Sequence, residues 1–225
     1  MDCKRKHNLL NPVSSCAEGG EDGKKKCPTA GIVLAAGMST RLGRPKHLVE
    51  VGGKTLLARV VTAALESELS KVVLVLGPEA ERVLVALGSL RDHDRLLTVI
   101  NERYKDGMAG SLQVGLLPVK DQYTAVMFLL GDQPLIDPGT INLLLRRFWF
   151  SDKDICVPVQ NEKRGNPVCF NHRFYENILG LQGDTGAREI IRRYPKDVLS
   201  VEIGSPTFFL DIDHDDDLEK LVSLL

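Results

Sequence analysis

Three groups of residues in this sequence have the chemistry to bind a phosphorylated ligand together with a metal ion. The first follows the apolar run at residues 31–36 and reads LAAGMSTRLGRPK over residues 34–46. Small residues let a ligand approach the backbone, whose amide groups can donate hydrogen bonds to phosphate. Arg41, Arg44 and Lys46 add positive charge. We interpret this loop as a triphosphate site; the alternative is a surface loop whose three cations are solvated.

The other two groups are acidic. Asp132 stands directly after the apolar run at residues 125–130. Asp211 and Asp213 are two positions apart, so in an extended segment they lie on one face. Magnesium prefers oxygen ligands and usually takes only one or two from protein. We therefore predict that Asp132 and one of the other two bind a hard cation, against the alternative that each aspartate ends a strand or caps a helix.

Alternating strands and helices must position these residues. Apolar runs predict buried strands, and apolar residues at helical spacing predict helices. The predicted strands are 31–36, 71–76, 96–100, 125–130, 155–159, 198–203 and 208–212, and the predicted helices are 56–65, 79–87, 111–117, 140–148, 187–194 and one from Asp215. A hairpin is predicted through residues 164–167. This order is typical of a mostly parallel sheet, whose ligands collect at the carboxyl ends of the strands.

Residues 1–28 differ from the rest of the sequence. They are rich in Lys, Glu, Gly, Ser and Asn and have almost no apolar periodicity, which predicts a flexible N-terminal extension. Residues 29–225 are predicted to form one catalytic domain. Of the five cysteines, Cys3, Cys16 and Cys27 fall in the extension, at spacings that match no metal-ligand pattern. We expect reduced thiols.

The overall charge limits the classes of partner. The 225 residues contain 29 Lys and Arg against 30 Asp and Glu, a net charge of -1, so no global field attracts nucleic acid or an anionic membrane. No apolar run is long enough to span a bilayer, and the first ten residues lack the apolar stretch of a secretory signal. We predict a cytoplasmic protein that binds neither nucleic acid nor membrane.

Six motifs in order carry a resemblance to a known family. Besides LAAGMSTRLGRPK, the sequence contains GMAGSL at 107–112, LGDQP at 130–134, RGNPV at 164–168, GDTGAR at 183–188 and DIDHDDDL at 211–218. Each is weak alone, but together they make residues 29–218 resemble the molybdenum cofactor cytidylyltransferases and their nucleotidyltransferase relatives. The resemblance implies an α/β, Rossmann-like nucleotidyltransferase fold, with a mostly parallel sheet and helices on both faces. It also implies a nucleoside triphosphate, Mg²⁺ and a phosphorylated pterin acceptor.

The resemblance implies a role for each matching residue. Lys46, Arg41 and Asp132 would be catalytic, Asp132 would bind magnesium with Asp213, and Asp211 is a near alternative. Residues implied at the nucleotide are Leu34, Ala35, Ala36 and Gly37, with Arg41 and Lys46 on its phosphates and Ala109, Gly110 and Ser111 against the base or ribose. Residues implied at the acceptor are Arg164, Asn166, Asp184 and Arg188.

Other functions are compatible with the same motifs. Ala36 stands where the guanine-using branch of the family tends to have glycine, so we favour CTP over GTP as donor. A guanylyltransferase or a sugar-phosphate or polyol-phosphate nucleotidyltransferase is the nearest alternative. A second alternative, from another class, is a non-catalytic protein that holds the cofactor or nucleotide and delivers it to a molybdenum hydroxylase. The apoenzyme of such a hydroxylase is also a predicted partner of the enzyme. Asp132 argues against a pure carrier, which needs no metal carboxylate.

Overall fold

A computed structural model of the chain describes residues 27–37, 44–204 and 210–224. Its strands are β1 (Thr29–Ala35), β2 (Glu50–Val51), β3 (Lys54–Thr55), β4 (Lys71–Leu76), β5 (Leu96–Ile100), β6 (Ala125–Leu130), β7 (Ile155–Gln160), β8 (Lys163–Arg164), β9 (Val168–Asn171) and β10 (Val198–Glu202). Its α-helices are α1 (Leu56–Glu66), α2 (Ala80–Ala86), α3 (Met108–Leu116), α4 (Pro138–Trp149), α5 (Tyr175–Leu179), α6 (Arg188–Arg193) and α7 (Asp215–Leu224). Most predicted elements are confirmed within a few residues.

One mixed sheet organises the described residues. Its strands follow the order β10-β7-β9-β6-β1-β4-β5, and β8 pairs with β7. The pairs of β1 with β4 and β6, of β4 with β5, and of β7 with β10 are parallel. Strand β9 runs antiparallel between β6 and β7. The predicted mostly parallel sheet is therefore confirmed, and the carboxyl ends of β1, β4 and β6 meet at one edge.

Helices cover both faces of this sheet, as predicted. Helices α1, α2 and α4 pack on one face and α3, α5 and α6 on the other. In β1, Val33 packs with the first group and Ile32 with the second, and both are fully buried. Burying a side chain of this size contributes about 1.5–3 kcal/mol. Because both faces of the strand are covered, its sequence is continuously apolar instead of alternating.

Helix α3 begins three residues before the predicted start at residue 111. The Met108 and Ala109 amides are capped by the Asp184 carboxylate (3.3 Å) and the Gly183 carbonyl (3.1 Å). Gly107 has a φ of +102°, and a Cβ there would lie 2.3 Å from the Gly183 backbone. Only glycine permits this approach. A cap supplied from so far along the chain leaves no local signal, which explains the difference.

Two further predictions were wrong in part. The hairpin turns at Asn161 and Glu162, both with positive φ, instead of within residues 164–167; consecutive positive φ values suit a two-residue turn. The described part of the predicted strand at 208–212 is not a strand. Its backbone makes one hydrogen bond to β6's end, from the Ile212 amide to the Asp132 carbonyl, and it is anchored by the buried Ile212 side chain.

Residues 1–26 of the predicted extension, with Cys3 and Cys16, lie outside the described residues. Within the described residues the buried Cys156 and Cys169 are free thiols, as expected. The helices that the structure describes are all too short or too polar to cross a membrane.

Candidate active site

An open cavity of about 260 Å³ lies at the carboxyl ends of β1 and β6, beside the start of α3. The residues after the two strands and the first turn of α3 supply most of its wall. The lining residues are Leu34, Ala36, Gly37, Lys46, His47, Tyr104, Gly107, Met108, Ser111, Leu130, Asp132 and Asp184. This is where ligands bind in open α/β sheets.

Lys46 joins two of the predicted carboxylates. Its Nζ lies 2.5 Å from Asp132 Oδ2 and 3.1 Å from Asp213 Oδ1, although the three residues come from distant parts of the chain. The Lys46 and Asp132 side chains are only 15% and 21% exposed. Burial alone would lower the pKa of Lys46, but the two carboxylates outweigh it and raise the pKa above its ordinary value. Lys46 is therefore a fixed positive charge at neutral pH.

The second oxygen of Asp132 identifies a place for a cation. Asp132 Oδ1 is buried and has no hydrogen-bond partner among the described residues. A buried carboxylate oxygen without a partner is costly, and a hard cation would satisfy it. The described residues contain no group of three or more His, Cys, Asp or Glu that could hold a metal. Asp132 and Asp213 thus fit a magnesium ion that takes its other ligands from phosphate and water.

Asp211 points to a different partner. Its Oδ1 accepts a hydrogen bond from Gln133 Nε2 at 2.8 Å. Burial raises the pKa of Asp211, the Gln133 hydrogen bond opposes this, and the negative charges of Asp132 and Asp213 add to it. Of the two predicted alternatives, Asp213 is the one that accepts a hydrogen bond from Lys46, as Asp132 does. The ligand role of either residue remains a prediction.

His47 is a cavity residue that sequence reasoning missed. It is only 7% exposed. Its burial, with the positive charge of Lys46, lowers its pKa to about 4, while Asp132 opposes the shift. His47 is therefore neutral at pH 7 and adds no charge to the site. Its position next to Lys46 in the sequence was the one signal that could have predicted its place at the cavity.

Lowering the pH from 7 to 5 should cost about 2 kcal/mol of the free energy of unfolding through His47. The unfolded chain binds this proton with a pKa of 6.5 and the folded protein with a pKa of about 4. Between these values acid favours the unfolded state. Chemical denaturation of wild type and His47→Gln at both pH values checks this, and equal losses in the two proteins would contradict it.

The residues predicted at the nucleotide divide between the two faces of the sheet. Leu34, Ala36 and Gly37 line the cavity, whereas Ala35 packs with the core on the opposite face. On α3, Ser111 lines the cavity, whereas Ala109 is buried and does not line it. Gly110 lines a second, separate groove beside Gln113. Tyr104 and Met108, which were not predicted, complete the wall.

The structure does not place the other two predicted cations, Arg41 and Arg44, at the cavity. Arg41 lies outside the described residues. Arg44, predicted to face phosphate, donates to Asp215 at 2.9 Å, and both side chains are exposed.

One of the four residues predicted at the acceptor lines the cavity. Asp184 lines the cavity. Phe128 of β6 pairs with Val168 of β9 in antiparallel register. Asn166, two residues before Val168, therefore lies toward the carboxyl end of β6. Arg164 in β8 and Arg188 at the start of α6 are exposed, and the structure does not place either on the cavity wall.

A doubly covered, mostly parallel sheet with a lysine and two carboxylates at its carboxyl edge has the architecture of a nucleotide-binding enzyme. Residues 31–198 match the family model described as the MobA-like NTP transferase domain. The chain belongs to this family. The predicted Rossmann-like nucleotidyltransferase fold is confirmed.

Solved structures extend over most of the chain. The crystal structure of Rv0371c from Mycobacterium tuberculosis H37Rv is 31% identical, with a TM-score of 0.73 over 88% of this chain and 100% of that chain. Its complex with manganese has a TM-score of 0.71 over the same shares, at 28% identity.

Curated relatives match a smaller part. The bifunctional protein GlmU of Rhodococcus opacus is 37% identical over 122 residues, 52% of this chain and 24% of GlmU. A probable molybdenum cofactor guanylyltransferase of Thermococcus sibiricus is 27% identical over 129 residues, 57% of this chain and 60% of that protein. The chain thus spans about a quarter of GlmU.

Proposed function

We propose that this protein transfers CMP from CTP to the phosphate of a molybdenum-bearing pterin, the molybdenum cofactor, and releases pyrophosphate. The observation that carries the proposal is the charged group at the cavity, in which Lys46 joins Asp132 to Asp213 and one buried Asp132 oxygen has no partner among the described residues. This arrangement suits a metal-bound triphosphate. We further propose that the reaction takes place in the cytoplasm.

Asp132 and Asp213 would hold Mg²⁺. When bound, the ion would neutralise negative charge on the phosphate oxygens. The manganese complex of Rv0371c supports a divalent cation in this family.

The residues of this chain bind and orient the reactants. The acceptor phosphate attacks the α-phosphorus, forming one P–O bond while the bond to the β-phosphate oxygen breaks and pyrophosphate leaves. Positioning supplies most of the rate, because a phosphate is already ionised and needs no general base. Lys46, which stays protonated, would stabilise the charge that develops on the leaving oxygens, and Arg41 would assist it.

The donor is predicted to be CTP, with a preference of about tenfold over GTP, because one methyl group in a pocket discriminates only partly. Ala36 is 2% exposed on the cavity wall, where its side chain narrows the space for a base. Pyrophosphate release should be measured for each nucleoside triphosphate with magnesium and the molybdenum cofactor. Ala36→Gly, the matched variant, should shift the preference toward GTP. A wild-type preference for GTP would overturn the choice of CTP.

Asp184, Asn166, Arg164 and Arg188 would contact the pterin phosphate or the pterin ring. The molybdenum cofactor guanylyltransferase among the relatives supports a pterin acceptor. The product would pass to a molybdenum hydroxylase apoenzyme. The partnerless oxygen of Asp132 disfavours the alternative of a pure carrier.

A further inference from the structure

Asn101 is a buried amide that connects strand β5, the loop after it and helix α3, of which the loop and the helix contribute to the cavity wall. It follows β5 and is 1% exposed. Its backbone amide donates to the Leu76 carbonyl at 2.8 Å, which extends the pairing of β5 with β4. Its side chain accepts a hydrogen bond from the Arg103 amide and donates one to Ser111 Oγ, each at 3.0 Å. Asn101 therefore holds β5, the following loop and α3 together.

The Arg103 contact determines which way the Asn101 amide faces. A backbone N–H can only donate, so the atom that faces it must be Oδ1 and the atom that faces Ser111 must be Nδ2. Ser111 Oγ consequently accepts from Asn101 and must direct its own proton elsewhere. In the part of the chain that the structure describes, no residue accepts that proton in a hydrogen bond. Since Ser111 lines the cavity, its hydroxyl offers a donor to whatever binds there.

We propose that Asn101 positions the Ser111 hydroxyl as a hydrogen-bond donor, and that the nucleotide must present a lone pair at this point. A carbonyl oxygen, a ring nitrogen or a ribose oxygen meets this requirement, whereas an amino group does not. Asn101 is a positioning residue, because it is not on the cavity wall itself. That the ligand is a nucleotide rests on the proposed function.

Asn101→Asp reverses the polarity of the contact without changing its shape. One carboxylate oxygen still accepts from the Arg103 amide, but the other has no proton to donate and must accept the proton of Ser111. Ser111 then turns its lone pairs toward the lone pair of the ligand. We expect the Kd of the preferred nucleoside triphosphate to rise about tenfold or more. Turnover at saturating nucleotide should change much less, because the phosphates are held elsewhere.

The effect must depend on Ser111. In the Ser111→Ala background, Asn101→Asp should cause no further loss of nucleotide affinity, so that the double variant binds like Ser111→Ala. A purely structural role would weaken binding to the same extent in both backgrounds. Asn142→Asp is the matched control: the Asn142 oxygen accepts from the Glu68 amide, far from the cavity, and a carboxylate preserves that contact.

Calorimetric titration of the full chain and its variants with each nucleoside triphosphate tests the proposal. If Asn101→Asp fails to fold, Asn101→Ala enters the same cycle; it should weaken binding about threefold, by losing the orientation of one hydrogen bond, and only when Ser111 is present. Unchanged affinity in the Asn101 variants, or a loss that persists without Ser111, overturns the positioning role alone. A wild-type protein that binds no nucleoside triphosphate overturns the proposed function and this inference together.

Discussion

Replacing Asp132 with Asn is expected to slow nucleotidyl transfer about 10²- to 10³-fold, the scale at which a group that stabilises transition-state charge acts. The amide keeps the volume of the side chain, and its oxygen can still accept from Lys46, so the unfolding temperature should change little. The buried Oδ1, however, would no longer belong to an anion. Magnesium would lose one of two protein ligands, and the loss matters most as charge moves onto pyrophosphate.

The measurement pairs CTP titration with pyrophosphate release. Affinity for CTP should fall far less than the rate, because Lys46 and the backbone near Gly37 would still bind the phosphates. Asp213→Asn and Asp211→Asn are matched variants in the same cluster. Asp213→Asn should be nearly as severe, whereas Asp211→Asn should be mild, since Asp211 is held by Gln133. A rate within a few-fold of wild type in Asp132→Asn would exclude Asp132 as the metal ligand.

Lys46→Met should reduce the transfer rate by a similar factor, about 10²- to 10³-fold, because it removes the cation that would face the departing oxygens. Methionine keeps much of the aliphatic length of lysine, so the packing of the side chain is largely preserved. Lys54→Met, at an exposed position of the β2–β3 hairpin, is the control for loss of a lysine and should keep full activity. Equal rates in the two variants would remove Lys46 from the mechanism.

Lys46→Met also allows metal binding to be measured separately from the transfer rate. In the wild type the Lys46 ammonium contacts both carboxylates, so its positive charge would repel an incoming cation. Without that ammonium, Mg²⁺ should raise the unfolding temperature of Lys46→Met more than that of the wild type. Opposite changes in metal binding and in turnover would support both assignments. No magnesium effect on unfolding of the variant would contradict the pairing of Asp132 and Asp213 as ligands.

The sheet could be predicted because its signals are local. Strands such as β4 and β6 are buried on both faces, so their apolar runs stand out, and Thr55 and Asp137 cap α1 and α4 with their side chains. The start of α3 could not be predicted, since its cap comes from Gly183 and Asp184. The order β6-β9-β7 also has no local signal.

The position of the cavity was predicted by one rule, that functional residues follow parallel strands. The rule found Asp132 after β6, and applied to β5 it would have found Asn101. It could not decide between Asp211 and Asp213, because their alternation assumed a strand that residues 210–212 do not form. The burial of His47 depends on packing between distant segments, which spacing does not encode.

The strands of the sheet come from two consecutive parts of the sequence. Strands β1, β4, β5 and β6, with the wall that would hold the nucleotide, come from residues 29–130, whereas β7, β8, β9 and β10 come from residues 155–202. Among the strands of the described residues, only the antiparallel pairing of β6 with β9 joins the two sets directly. A recombination event between residues 130 and 155 could therefore replace the second set as a unit while keeping every parallel pair of the first. Such an exchange would change the acceptor specificity of an enzyme of this fold and keep its nucleotide specificity.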